Sequence, residues 1–89
     1  MRFEYDARKS ESNLEKHGID FDEAQELWCD RNMIATSVRK GGEERFVGLA
    51  RYAGCCWVVV YAARGESVRI VSVRRATAKE ASVYDKANR

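Results

Sequence analysis

With 89 residues and a formal charge of +2, the chain has room for one domain, residues 1–89, which at this size buries only about 60–65% of its unfolded surface. So mild a net charge does not by itself argue for a nucleic-acid partner. No run approaches the roughly 18 apolar residues of a membrane span, and Met1 opens on charged sequence rather than a signal peptide, so a cytoplasmic protein without membrane contact is expected.

Met1 to Tyr5 alternates as a short strand does. Asp6 is placed to cap a helix over residues 7–17, and Gly18, after Lys16 and His17, supplies the left-handed residue that ends one. Asp20 and Glu23 form a capping-box pattern for a second helix, with Phe21, Ala24, Leu27 and Trp28 on one face. From Met33 the period changes to that of a strand. Met33–Arg39, Glu43–Tyr52, Cys55–Ala63 and Glu66–Arg75 are rich in Val, Ile, Tyr and Trp, with short glycine-bearing turns between them, which predicts four hairpin-connected strands. Thr77 and Glu80 make a further capping box, opening a last helix through Ala81, Tyr84 and Ala87. The expectation is therefore an α+β fold of two N-terminal helices, a four-stranded antiparallel meander and a C-terminal helix. The helices carry enough apolar surface for one sheet face only. Cys55 to Tyr61 is apolar on both parities, so its second face requires a cover or a ligand.

The three cysteines cannot pair evenly, and Cys55 and Cys56 are adjacent, a geometry that rarely closes a disulfide, so all three read as reduced thiols. One histidine and no Cys-x-x-Cys supply no zinc set, and no metal or other cofactor is expected. Charge, by contrast, is sorted. Residues 1–38 hold five Lys/Arg against nine Asp/Glu, whereas residues 39–75 hold eight against three. Seven of those eight are arginines set among β-formers: Arg39, Arg45, Arg51, Arg64, Arg69, Arg74 and Arg75. A guanidinium fork matches a phosphate bidentately, so this arrangement points to a phosphate-rich partner. The acidic first half is a solvated face or a dock for a basic partner.

Four separated motifs, in order, carry a resemblance. They are Lys16 to Ala24 (KHGIDFDEA), Gly42 to Gly48 (GEERFVG), Val59 to Gly65 (VVYAARG) and Arg69 to Glu80 (RIVSVRRATAKE), preceded by Phe3-Glu4-Tyr5-Asp6. In these the chain resembles the BrnT toxins of bacterial type II toxin–antitoxin pairs. The resemblance implies a RelE-like fold, RNA cleavage that inhibits translation, and neutralisation by a BrnA-type antitoxin that also represses the operon, so that DNA is reached only through the antitoxin. It also suggests a 2:2 assembly. Ala62 departs from the pattern, since many members carry threonine there.

Metal-independent RNA cleavage uses the 2′-OH as nucleophile and asks the protein for a base, an acid and cations on the phosphorane. The catalytic candidates are Arg74 as phosphate clamp, Arg64, His17, Lys79 and Tyr84. Candidates for RNA binding are Arg45, Arg51, Tyr52, Arg69 and Arg75. Each has a plainer reading. Histidine ordinarily changes charge near neutral pH, yet His17 in a last helical turn also suits the dipole. Glu80 is a capping residue before it is a base, Lys79 sits where the dipole disfavours a cation unless a phosphate is near, and Tyr84 has the spacing of a core residue. Tyr52, at a strand end, is the best placed aromatic for stacking on a base. The competing reading is a non-catalytic module that binds RNA, DNA or an acidic protein through the same arginines and cuts nothing.

Overall fold

The computed structural model describes residues 1–89, the Lys40 side chain excepted. Strand β1 (Arg2–Glu4) leads into helix α1 (Ala7–His17) and a 3-10 helix (Glu23–Cys29). Strands β2 (Ile34–Lys40), β3 (Glu43–Tyr52), β4 (Cys55–Arg64) and β5 (Ser67–Arg75) follow, and helix α2 (Ala78–Ala87) ends the chain. The sheet order is β1-β5-β4-β3-β2, an antiparallel meander with β1 added in parallel to β5. The expected four-stranded sheet thus has five strands, because the opening residues pair Phe3 with Val68 along the β5 edge.

Local chemistry explains most of the boundaries. The Asp6 carboxylate accepts from the Arg8 and Lys9 N–H groups at 2.8 and 3.2 Å, and Gly18, at φ 77°, closes α1 by donating to the Leu14 carbonyl at 2.9 Å. The β3–β4 turn places Ala53 and Gly54 at φ 53° and 78°, the twin positive values of a two-residue turn that matches strand twist. Both halves of the Thr77–Glu80 capping box form.

The second N-terminal helix is not an α-helix. Phe21, Ala24 and Leu27 are all buried at 1% exposure or less, and a spacing of three is the 3-10 repeat, in which residues i and i+3 lie over each other. Asp20 accepts from Glu23 N–H at 2.8 Å, one half of the expected capping box, but the residue at the helix start is Asp22, whose side chain caps nothing, and the seven residues tighten rather than propagate an α turn.

The helices also divide between the two faces instead of sharing one. Ile19, Phe21, Ala24 and Leu27 pack on Ala50, Trp57, Val59, Ile70 and Val73. Along a strand alternate residues face opposite ways, so Leu49 and Val58 belong to the other face, and there α2 lies, with Val83 and Glu80 beside Ile34, Val47, Leu49 and Val58. This resolves the doubly apolar β4: one face is core, and the other is covered by α2 at one end. Between α2 and β2 a trough of about 260 Å³ stays open, rimmed by Val38 and Val83, which are 43% and 51% exposed.

Gly48 shows how closely the first face is packed. A methyl group there would stand 2.7 Å from Met33 Cε and 3.1 Å from Val59 Cγ1. Met33 can swing aside, whereas the core Val59 cannot. Gly48→Ala is expected to cost about 1–2 kcal/mol, measured as a lower urea midpoint at unchanged slope; a midpoint equal to the parent's refutes this.

Candidate active site

Helix α1 has only two apolar side chains, Ala7 and Leu14, and Leu14 is 47% exposed. Its buried face is polar, formed by Ser10 and Asn13. Ser10 Oγ accepts from the Phe21 N–H at 2.9 Å, which turns the chain back under the helix. Asn13 Nδ2 donates to the carbonyls of Ile19 and Val73 at 2.8 and 2.9 Å, and its Oδ1 accepts from the Val73 N–H at 3.2 Å. Since β1 pairs β5 only from Ser67 to Arg69, the β5 edge at Val73 lacks a strand partner. The Asn13 carboxamide takes that place.

This clasp fixes two neighbours. His17 is one helical turn beyond Asn13, and Arg74 follows Val73. Together with Lys16, Arg75 and Thr77 they line an open cavity of about 580 Å³ at the C-terminal end of β5. Lys16 and His17 occupy the last turn of α1, whose carbonyls favour positive charge. Arg75 lies over the Trp57 ring at 5.5 Å, a cation–π contact that leaves its donors free of carboxylates among the described residues. Arg74 is held firmly: Nη1 and Nη2 donate to the two Glu80 oxygens at 2.8 Å each, and Nη1 also donates to the Arg75 carbonyl at 3.2 Å. The Arg74 bond, followed by the Thr77 N–H bond, lowers the Glu80 carboxyl to about 2. So acidic a carboxyl stays ionised and makes a poor base near neutrality.

The remaining predicted residues lie elsewhere. Arg51, Tyr52 and Tyr84 share a second cavity, of about 440 Å³, with Asp30. Tyr84 is buried, and its hydroxyl donates to Asp30 at 2.6 Å; burial and then this bond push the phenol upward, so it stays protonated. Arg51 pairs with Asp85 at 3.0 Å and lies over the Tyr84 ring, and Tyr52 donates to Glu23 at 2.8 Å. Burial raises the Asp30 carboxyl, but bonds from Arg51 N–H, Tyr84 and Asn32 N–H outweigh it and the net direction is down. These contacts hold α2 to the end of β3. Lys79 is exposed in the first turn of α2.

Arg64 belongs to the opposite end of the sheet. It pairs with Ser67 beside the last turn, whereas Arg75 pairs with Trp57. Seven residues of strand, about 23 Å, separate those rows. Arg45 and Arg69 are both registered opposite Ala62 and make long contacts to Glu43 and Glu4, at 3.5 and 3.9 Å. Ala62, 2% exposed, lies between them. Strand alternation puts Arg45, Arg51, Arg64 and Arg74 on the α2 face, and the register shift between Val60 and Tyr61 returns Arg69 to it, so five of the seven sorted arginines share one surface, while Arg39 and Arg75 belong to the other. Of the residues that shape the site, sequence reading missed Asn13, Ser10 and Asp30. The signal was available for the first two, since a helix with two apolar side chains can dock only through polar ones.

A small α+β fold with a cationic cavity and one histidine at its sheet end is a form suited to acting on phosphodiesters. The family model for the ribonuclease toxin, BrnT, of type II toxin–antitoxin systems matches residues 5–80, and the chain belongs to this family. It is therefore a ribonuclease toxin, and the type II arrangement gives it a protein antitoxin as partner. No curated protein matches the sequence. No helix among the described residues is long and apolar enough to cross a membrane.

Proposed function

We propose that this toxin cuts single-stranded RNA internally and without metal in the cytoplasm, so stopping translation. The observation that carries the reading is the cavity that joins His17 and Lys16 to Arg74 and Arg75. The RNA 2′-oxygen attacks the adjacent phosphorus, its proton passes to a base, the P–O5′ bond breaks, and the 5′-oxygen takes a proton; the products are a 2′,3′-cyclic phosphate and a free 5′-hydroxyl. Arg74 binds the phosphoryl oxygens on which charge builds, and Arg75 and Lys16 add positive potential. His17 is the group suited to move the proton. Arg45, Arg64 and Arg69 extend the cationic surface along the open sheet face, where a flanking strand of RNA finds phosphate contacts. Tyr84 and Arg51 serve by holding α2. The antitoxin is of the BrnA type in a 2:2 assembly. The open trough beside α2, the free β2 edge and the arginine face support a protein cover.

Incubation with end-labelled RNA in EDTA tests the reading. The expected result is cleavage to cyclic-phosphate ends, with a 2′-O-methyl RNA of the same sequence left intact. Loss of all cleavage in EDTA, or scission of the 2′-O-methyl strand, overturns it. Intact RNA with a salt-sensitive mobility shift instead supports the binding module.

A further inference from the structure

The Arg74 guanidinium has five N–H groups in a fixed plane. Glu80 takes the pair that points away from the chain, one from each Nη, and the Arg75 carbonyl takes the outer hydrogen of Nη1. What remains is Nε–H and the outer Nη2–H, which point the same way and form the side-on fork that fits two oxygens of a phosphate. Among the described residues neither has an acceptor. Glu80 is itself fixed, because its Oε1 accepts from the Thr77 N–H at 2.8 Å while its own N–H donates to Thr77 Oγ1 at 3.2 Å. The first turn of α2 therefore dictates which edge of Arg74 is left without an acceptor.

We propose that Glu80 is a positioning residue for RNA cleavage: by occupying the end-on edge of Arg74 it presents the side-on fork to the scissile phosphate. The inference rests on the ribonuclease reading above and adds to it the group that orients the clamp. It also gives the capping box a second use. A glutamate at this place satisfies the helix terminus and aims the arginine, and the two effects separate on substitution. Glu80→Gln keeps an oxygen for the Thr77 N–H but offers only one acceptor to the guanidinium, and its amide hydrogens oppose those of Nη. Helix α2 persists while Arg74 swings more freely, a loss felt chiefly in the transition state.

The test is a double-mutant cycle of Glu80→Gln with Arg74→Lys, read by single-turnover RNA cleavage in EDTA, with helical content and thermal midpoint recorded for each variant. Lysine keeps the charge but has no fork to aim. The expected result is that Glu80→Gln lowers the cleavage rate about tenfold in the parent, with KM changed less than threefold, and has no further effect in the Arg74→Lys background. An equal loss in both backgrounds means that Glu80 acts only through the helix cap and overturns the proposal. A faster Glu80→Gln enzyme means that the carboxylate masks Arg74, which also overturns it. A parent that leaves RNA intact defeats the ribonuclease reading itself, and this inference with it.

Discussion

Replacing Arg74 by alanine is expected to slow RNA cleavage by about 10²- to 10³-fold, the usual loss when one preorganised donor to a developing oxyanion is removed. Arg74 is the one cation in the cavity whose guanidinium is bidentately fixed, so its deletion removes oriented donors as well as charge. The fold should survive. Without Arg74, α2 keeps the Thr77–Glu80 box, the Tyr84–Asp30 bond and the Asn88 donation to the Asn32 carbonyl. The measurement is single-turnover cleavage of end-labelled RNA, alongside circular dichroism to show that strand and helix content match the parent. An Arg74→Ala protein that cuts within threefold of the parent rate removes Arg74 from the site. Lost cleavage with a collapsed spectrum shows only that the Arg74–Glu80 pair holds the fold.

Asn13→Leu is expected to be the most damaging substitution for stability. Leucine keeps the branching of asparagine, with a bulkier end, but leaves the Val73 N–H and C=O and the Ile19 C=O without partners in a buried place. Each such orphan costs about 1–3 kcal/mol, and partial hydration brings the sum to about 2–4 kcal/mol. For a domain of this size that lowers Tm by roughly 10–25 °C. Equilibrium urea unfolding measures it, and a change below about 0.5 kcal/mol would show that the clasp contributes nothing. The substitution also uncouples His17 from Arg74, so cleavage well below the variant's own Tm is expected to fall too.

Features set by neighbours along the chain could be read from the sequence: the Asp6 and Thr77 caps, the Gly18 terminus and the three hairpins all depend on partners within a few residues. The arginine-rich sheet could be read because strand alternation is a local rule. Three things could not. The 3-10 form of the second helix turned on whether Phe21, Ala24 and Leu27 would pack at a spacing of three. The placement of α2 on the far face depended on Asp30 meeting Tyr84, 54 residues away. The partner of Asn13, 60 residues away, could not be read, although a helix with two apolar side chains signals that a polar residue docks it. Among the expected site residues, His17, Arg74 and Arg75 meet because α1 ends where β5 ends. Arg64 stands apart because a hairpin puts its two ends at opposite poles.

Strand β1 is three residues long, which invites dismissal as a fragment. Its brevity is what leaves Val73 open to α1. An insertion between Glu4 and Ala7 that let β1 run on along β5 would supply main-chain partners to Val73 and evict the Asn13 amide, improving the sheet while dragging the end of α1 away from Arg74. Where this first strand stops is thus a setting for the spacing of His17 and Arg74, and natural or designed changes in its length are expected to trade stability against cleavage.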